Sequence, residues 1–154
     1  MAKARLVELD PDMTFAQAAA RTVATRTDEL FGHAGGVLDT GEIEHVHDMR
    51  VATRRLRAAL EVFAPCFPRD VHREVLREVK ALADALGRRR DPDVHLEALL
   101  GLRKRLPPAD HPGVDLLIAR ARAQQADGNV ALREALEEAL TRDLRGRLGE
   151  LAHG

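Results

Sequence analysis

Apolar side chains recur at helical spacing through residues 46–63, which read VHDMRVATRRLRAALEVF. In a helix that turns by about 100° per residue, one side of this segment carries Met49, Ala52, Leu56, Ala59, Leu60 and Phe63. A second row of the same kind consists of Val75, Val79, Leu82 and Leu86. The chain contains no long run of alternating β-branched residues, and Leu and Ala supply most of its apolar mass. Because these residues favour helices, the sequence predicts an all-α protein.

Prolines, glycines and capping residues divide the chain into six predicted helices. Gly87 is a typical C-cap, and in the following RRRDPD segment Asp91 is a typical N-cap with Pro92 at the first helical position. The predicted helices run from Asp12 or Thr14 to about Gly35, over 43–63, 69–86 and 92–106, from Pro112 to about Leu140, and over 142–152. Gly128 makes a bend in the fifth helix possible. We expect one domain over residues 1–154, an up-down four-helix-type bundle with extra short helices.

Positive charge is concentrated in the middle of the chain, although the formal net charge of the whole sequence is −1. Residues 43–105 hold 14 Arg and Lys against 10 Asp and Glu. Residues 1–42 hold 4 against 7, and residues 106–154 hold 6 against 8. The surplus therefore belongs to the second and third predicted helices and to the loop predicted after them.

These cations form rows opposite the apolar rows. The second helix carries His47, Arg50, Arg54 and Arg57, at spacing i, i+3, i+7 and i+10, before the acid Glu61. The third carries Arg73, Arg77, Lys80 and Arg88, and Arg88, Arg89 and Arg90 cluster where it is predicted to end. A solvated helix face usually mixes both signs at i, i+4, and like charges at this spacing repel each other. The rows therefore favour a polyanion partner, and the fork of donors in Arg suits phosphate.

Two segments resemble the CHAD family, the conserved histidine α-helical domain. Residues 46–63 resemble the family run His-Asp-x-Arg-Val-x-x-Arg-Arg-Leu-Arg at the start of a helix. Residues 82–94, LADALGRRRDPDV, resemble the family element Leu-Gly-x-x-Arg-Asp-x-Asp-Val. The spacing of the two segments and the long Arg-rich helix followed by a short terminal one also fit.

The resemblance implies a helical protein that binds inorganic polyphosphate on a basic surface. We expect this binding to involve no catalysis, no cofactor and no metal. Position by position, the resemblance assigns this binding to His47, Arg50, Arg54, Arg55 and Arg57 from the first segment, and to Arg88 and Arg90 from the second. Asp91 matches as a capping or orienting residue. The helical rows select His47, Arg50, Arg54 and Arg57 independently, and they add Arg73, Arg77 and Lys80, with Arg89 from the arginine cluster. Arg55 lies apart from both rows.

The resemblance covers the first half of a two-bundle CHAD protein. Members of the family have two helical bundles related by pseudo-twofold symmetry around a basic channel, and no second block rich in His and Arg follows residue 94. We therefore expect a homodimer in which a second copy supplies the other bundle. No run of about 20 apolar residues and no signal-peptide core occur, so we expect a cytoplasmic protein, associated with polyphosphate granules as the family is.

Three other functions are weighed against this one. The pairs Glu42/His45 and Glu44/His47 have the Glu-x-x-His spacing of di-metal bundles, but no second pair occurs on another helix. A nucleic-acid or general polyanion binder would use the same cations, yet the chain has no Trp or Tyr on which single-stranded bases stack. A purely structural dimerisation module is the third alternative.

Overall fold

The computed structural model describes residues 2–154, in which the regular structure is entirely helical. The α-helices are α1 (Phe15–Gly32), α2 (Glu44–Val62), α3 (Arg69–Arg105), α4 (His111–Thr141) and α5 (Leu144–His153). Two short 3₁₀ helices, Ala64–Cys66 and Pro108–Asp110, lie in the connections on either side of α3. No strand occurs among these residues, which confirms the all-α prediction. Within this part of the chain, every helix is too short or too polar to span a bilayer.

Local sequence signals fix several helix ends. The Thr14 hydroxyl oxygen accepts a hydrogen bond from the Gln17 N–H at 3.1 Å, and Gln17 Oε1 accepts one from the Thr14 N–H at 2.9 Å. This reciprocal capping box satisfies two backbone donors at the start of α1, where the sequence places the N-terminus of the first helix. Pro65 and Pro68 separate α2 from α3, which begins at the predicted residue.

α3 continues through the segment that the sequence assigns to a loop, so the predicted break between a third and a fourth helix is wrong. Gly87 and Asp91 lie inside the helix rather than capping two separate ones, and Pro92 is also inside it. Proline removes one intrahelical hydrogen bond, the one that the Arg88 carbonyl oxygen would accept four residues earlier. α4 packs against α3, which is helical on both sides of Pro92.

The hydrophobic core lies where α1, α2, the first part of α3, the last part of α4 and α5 meet. The predicted apolar rows are confirmed as buried at Met49, Ala52, Leu56, Ala59, Leu60, Val75, Val79, Leu82 and Leu86, and Phe63 is half-buried against them. Burial of these rows leaves the opposite sides of α2 and α3 facing solvent. The cations that the sequence places opposite the apolar rows are thereby brought to the surface.

α3 and α4 form a long antiparallel hairpin that extends beyond this core. Arg142 contacts Glu74 at 3.1 Å near one end of the hairpin, and Arg103 contacts Asp115 at 2.7 Å near the other end. Among the described residues, the core contains none from α3 after Leu86 and none from α4 before Leu132. The far half of the hairpin therefore packs mainly on itself.

Candidate functional site

Cations from α2 and α3 meet at one carboxylate. Arg57 Nε donates to Glu61 Oε1 at 3.0 Å, and Lys80 Nζ lies 3.4 Å from the same oxygen. The hydrogen bond from Arg57, together with the charges of Arg57 and Lys80, outweighs desolvation and lowers the pKa of Glu61. Glu61 is therefore ionised at neutral pH, and two cations sharing one anion leave this junction of the helices positive.

The cation rows of the two helices also approach each other further along. Arg50 and Arg88 line the same groove, about three turns of α2 from Glu61 and about two turns of α3 from Lys80. Because α2 and α3 run in opposite directions, their solvent-facing rows lie side by side. We call this surface the basic face; its exposed or half-buried members are Arg50, Arg54, Arg57, Arg73, Arg77, Lys80 and Arg88, with half-buried His47 at the start of the α2 row.

Carboxylates border the basic face on the side of α4. Asp84, Asp91, Glu134 and Glu138 line the groove that Arg50 and Arg88 enter. These acids outnumber the two arginines, so the groove itself does not favour an anion. The positive part of the surface is therefore the α2 row together with the junction at Glu61.

The continuous helix changes what the three successive arginines can do. Neighbouring residues in a helix turn by about 100°, so Arg88, Arg89 and Arg90 point in three directions instead of clustering as they would in a loop. Arg88 is exposed, Arg90 is half-buried, and Arg89 is fully buried. Arg89 Nη1 donates to Asp93 and its Nε donates to Asn129 Oδ1 at 3.2 Å. The prediction that Arg89 binds polyphosphate is therefore wrong, because its side chain is enclosed between α3 and α4.

Arg55 likewise has a structural partner. Its Nη1 donates to Glu29 Oε1 at 2.7 Å, and Arg26 Nη1 donates to the other oxygen, Oε2, at 2.7 Å. Burial opposes the ionisation of Glu29, but the hydrogen bonds and charges of Arg26 and Arg55 outweigh it, so the pKa of Glu29 lies below its ordinary value. Arg55 thus joins α2 to α1, as its position apart from the cation rows allows. The acid at position 29 carries no sequence signal that identifies it as buried.

The Glu29→Gln variant is expected to be less stable than the wild type by about 2 kcal/mol at neutral pH, because both arginines lose a buried carboxylate but keep some contact with water. The lowered pKa means that Glu29 stabilises the fold above the ordinary pKa of a glutamate, and that this contribution disappears as the pH falls through the folded-state pKa. Urea unfolding at several pH values measures this stability difference, with Glu137→Gln, at an exposed position of α4, as the control. A difference that stays constant down to acid pH would contradict it.

The residues with Glu-x-x-His spacing are not part of a cluster of possible metal ligands among the described residues. Within residues 2–154, no group of three or more His, Cys, Asp or Glu side chains is placed to hold a metal ion. His47 lies at the edge of the basic face, and its nearest cation along the α2 row is Arg50.

Comparison with known families gives one match, to the CHAD domain, over residues 21–154. Comparisons with curated proteins and with solved structures gave no match. The matched range includes most of α1 and all of α2 to α5, and hence both motifs and the whole basic face. The chain therefore belongs to the CHAD domain family.

Proposed function

We propose that the protein binds inorganic polyphosphate on the basic face, without making or breaking bonds. The family is linked in general to polyphosphate binding. The observation that carries the proposal is the convergence of Arg57 and Lys80 on Glu61, with the α2 arginines Arg50 and Arg54 exposed beside it. Two helices thus offer one connected set of cations.

The binding mechanism is electrostatic. Arg50 to Arg57 span seven residues, or about 10 Å of helix at 1.5 Å per residue, so their guanidinium groups can hold successive phosphates of a flexible chain. Each neutralised phosphate releases counterions, and the affinity falls steeply as salt rises. Phosphates are bound without bases, in keeping with a chain that has no Trp or Tyr for base stacking.

The double variant Arg50→Ala/Arg54→Ala tests this mechanism. We expect polyphosphate affinity at low salt to fall by about tenfold or more, and the slope of log K against log salt to become shallower by about 2, since two phosphate contacts are lost. A fluorescence titration with long-chain polyphosphate at several salt concentrations measures both quantities. Because neither arginine is part of the core, the helical circular dichroism should be unchanged.

The matched control is Arg122→Ala/Arg133→Ala, which removes the same charge from exposed positions on α4. If the control weakens binding as much as the α2 variant, net charge rather than the basic face determines affinity. Single-stranded DNA of equal charge is titrated in parallel. Equal affinity for both polymers would favour the alternative function, a general polyanion or nucleic-acid binder, and no binding to either would leave a structural dimerisation module.

We also propose that the protein is a homodimer. The resemblance implies two helical bundles related by twofold symmetry, and two copies of this chain would place one such pair about a true twofold axis. Sedimentation equilibrium at concentrations on the order of tens of micromolar tests this directly, and a monomer would count against it. The location proposed for the protein is the cytoplasm, in association with polyphosphate granules, as for the family.

A further inference from the structure

A continuous groove runs between α3 and α4 along the side of the hairpin that adjoins the basic face. Its near, middle and far sections share lining residues. Arg88, Asp91 and Ala131 line both the near and the middle section, and His95 and Gln124 line both the middle and the far section. The groove therefore follows α3 from Ala81 to Leu99, about 27 Å at 1.5 Å per residue.

The two ends of the groove differ in side-chain size and in charge. The near section is lined by small residues, Ala81, Ala85, Ala131 and Ala135, and by four carboxylates, Glu134 and Glu138 among them, against the two arginines Arg50 and Arg88. The far section has larger apolar side chains and a cation, Leu99, Leu117 and Arg120. Leu117 is 47% exposed, although it lies on a helix whose opposite side is buried. One end thus offers space and negative charge, and the other offers bulk and positive charge.

These two ends match each other if two copies pack antiparallel. The residue midway between Arg120 and Glu134 is Asp127, and the residue midway between Ala85 and Leu99 is Pro92. Asp127 and Pro92 both line the middle section of the groove. A single twofold axis through this section therefore relates both pairs at once, which is the condition for a self-complementary interface.

We propose that a second copy of the chain occupies this groove, with the two α3–α4 hairpins packed antiparallel about an axis at Pro92 and Asp127. The partner's Leu99 and Leu117 then enter the alanine-lined section, and the partner's Arg120 faces Glu134 and Glu138. This inference deepens the proposed homodimer and rests on it. A second copy fits the groove by charge and size. The apolar side chains and the cation at the far end of one copy complement the small residues and carboxylates at the near end of the other.

Charge reversal at one contact tests the interface on the full-length chain. Arg120→Glu and Glu134→Arg each place like charges opposite each other across the interface. Twofold symmetry makes this contact occur twice in every dimer. We expect each single variant to raise the dimer dissociation constant by about tenfold or more. The double variant Arg120→Glu/Glu134→Arg restores attraction and should return this constant to within about threefold of the wild type.

Sedimentation velocity over a concentration series measures the dissociation constant in the absence of polyphosphate. The control is Arg122→Glu, which makes the same charge change at an exposed position of α4 that is turned about 200° from Arg120. All of these substitutions replace one good helix former by another, so the helices should persist.

The outcomes separate the interface from the homodimer itself. A wild type that is monomeric throughout the series overturns both proposals. A dimer that is unaffected by either single reversal, or affected equally by Arg122→Glu, retains the homodimer and overturns this interface. Single reversals that the double variant does not rescue also overturn it, because the two residues then do not face each other. Polyphosphate binding by α2 is measured in a titration of its own.

Discussion

Replacing Asp93 by Ala is expected to destabilise the protein by about 3–5 kcal/mol, because it leaves the Arg89 guanidinium buried without its carboxylate. Both side chains are inaccessible to solvent. Asp93 Oδ1 accepts hydrogen bonds from Arg89 Nη1 and, at 2.7 Å, from Gln125 Nε2. Gln125 also loses its partner in the variant. A loss of this size is a large fraction of the 5–15 kcal/mol that stabilises a typical domain, and urea unfolding followed by far-UV circular dichroism measures it.

Two further variants separate charge burial from loss of side-chain volume. Asp91→Ala, at an exposed position two residues earlier on α3, should change the stability by no more than about 0.5 kcal/mol. Arg89→Met/Asp93→Leu removes both charges and fills the space with apolar groups, so it should recover most of the stability lost in Asp93→Ala. If Asp93→Ala and Asp91→Ala have similar effects, the buried ion pair within α3 and its hydrogen bond to Gln125 of α4 do not contribute to stability as proposed.

The buried ion pair also explains why the sequence predicts a loop where the structure has a helix. Gly87, Asp91 and Pro92 are local signals, and each is typical of a helix end. What overrides them is contact with α4, 32 to 40 residues away in the chain, through Gln125 and Asn129. Periodicity in one sequence does not reveal such pairings. Once α3 is continuous, Arg89 falls three residues after Leu86 on the buried row, and its burial follows from the same helical spacing that identifies the core.

The basic face was more predictable because it depends on helix faces alone. In α2, spacing of 3.6 residues correctly separates buried Met49 and Leu56 from exposed Arg50 and Arg54. The sequence did not reveal that Glu61 joins Arg57 to Lys80, or that acids of α4 border the groove beside Arg50. Both facts depend on which helices are neighbours. The local chemistry of the candidate site was therefore predictable, and its boundaries were not.

Gly128 lies where the backbones of α3 and α4 come into close contact. A Cβ atom at this position would lie 2.7 Å from the Arg88 carbonyl oxygen and 3.0 Å from the Arg89 Cα. These are backbone atoms of a packed helix, which cannot rotate away as a long side chain can. The same Arg88 carbonyl is the one that Pro92 leaves without an intrahelical donor. Glycine thus lets α4 approach α3 where the hydrogen bonding of α3 is interrupted.

Gly128→Ala is therefore expected to destabilise the protein by about 1–3 kcal/mol, although alanine favours a helix over glycine by about 1 kcal/mol. Gly128→Val should cost more, since its branched side chain enlarges the overlap with α3. Gly101→Ala is the matched control: it lies inside α3, and a Cβ there meets no atom within 4 Å. This control should be more stable than the wild type by about 0.5–1 kcal/mol, because only the helix preference acts. Urea unfolding measures the change in the free energy of unfolding for each alanine variant. Changes of opposite sign would establish that contact between the helices, rather than helix preference, requires glycine at position 128. Stabilisation by both variants would show that α4 can move away from α3 at little cost.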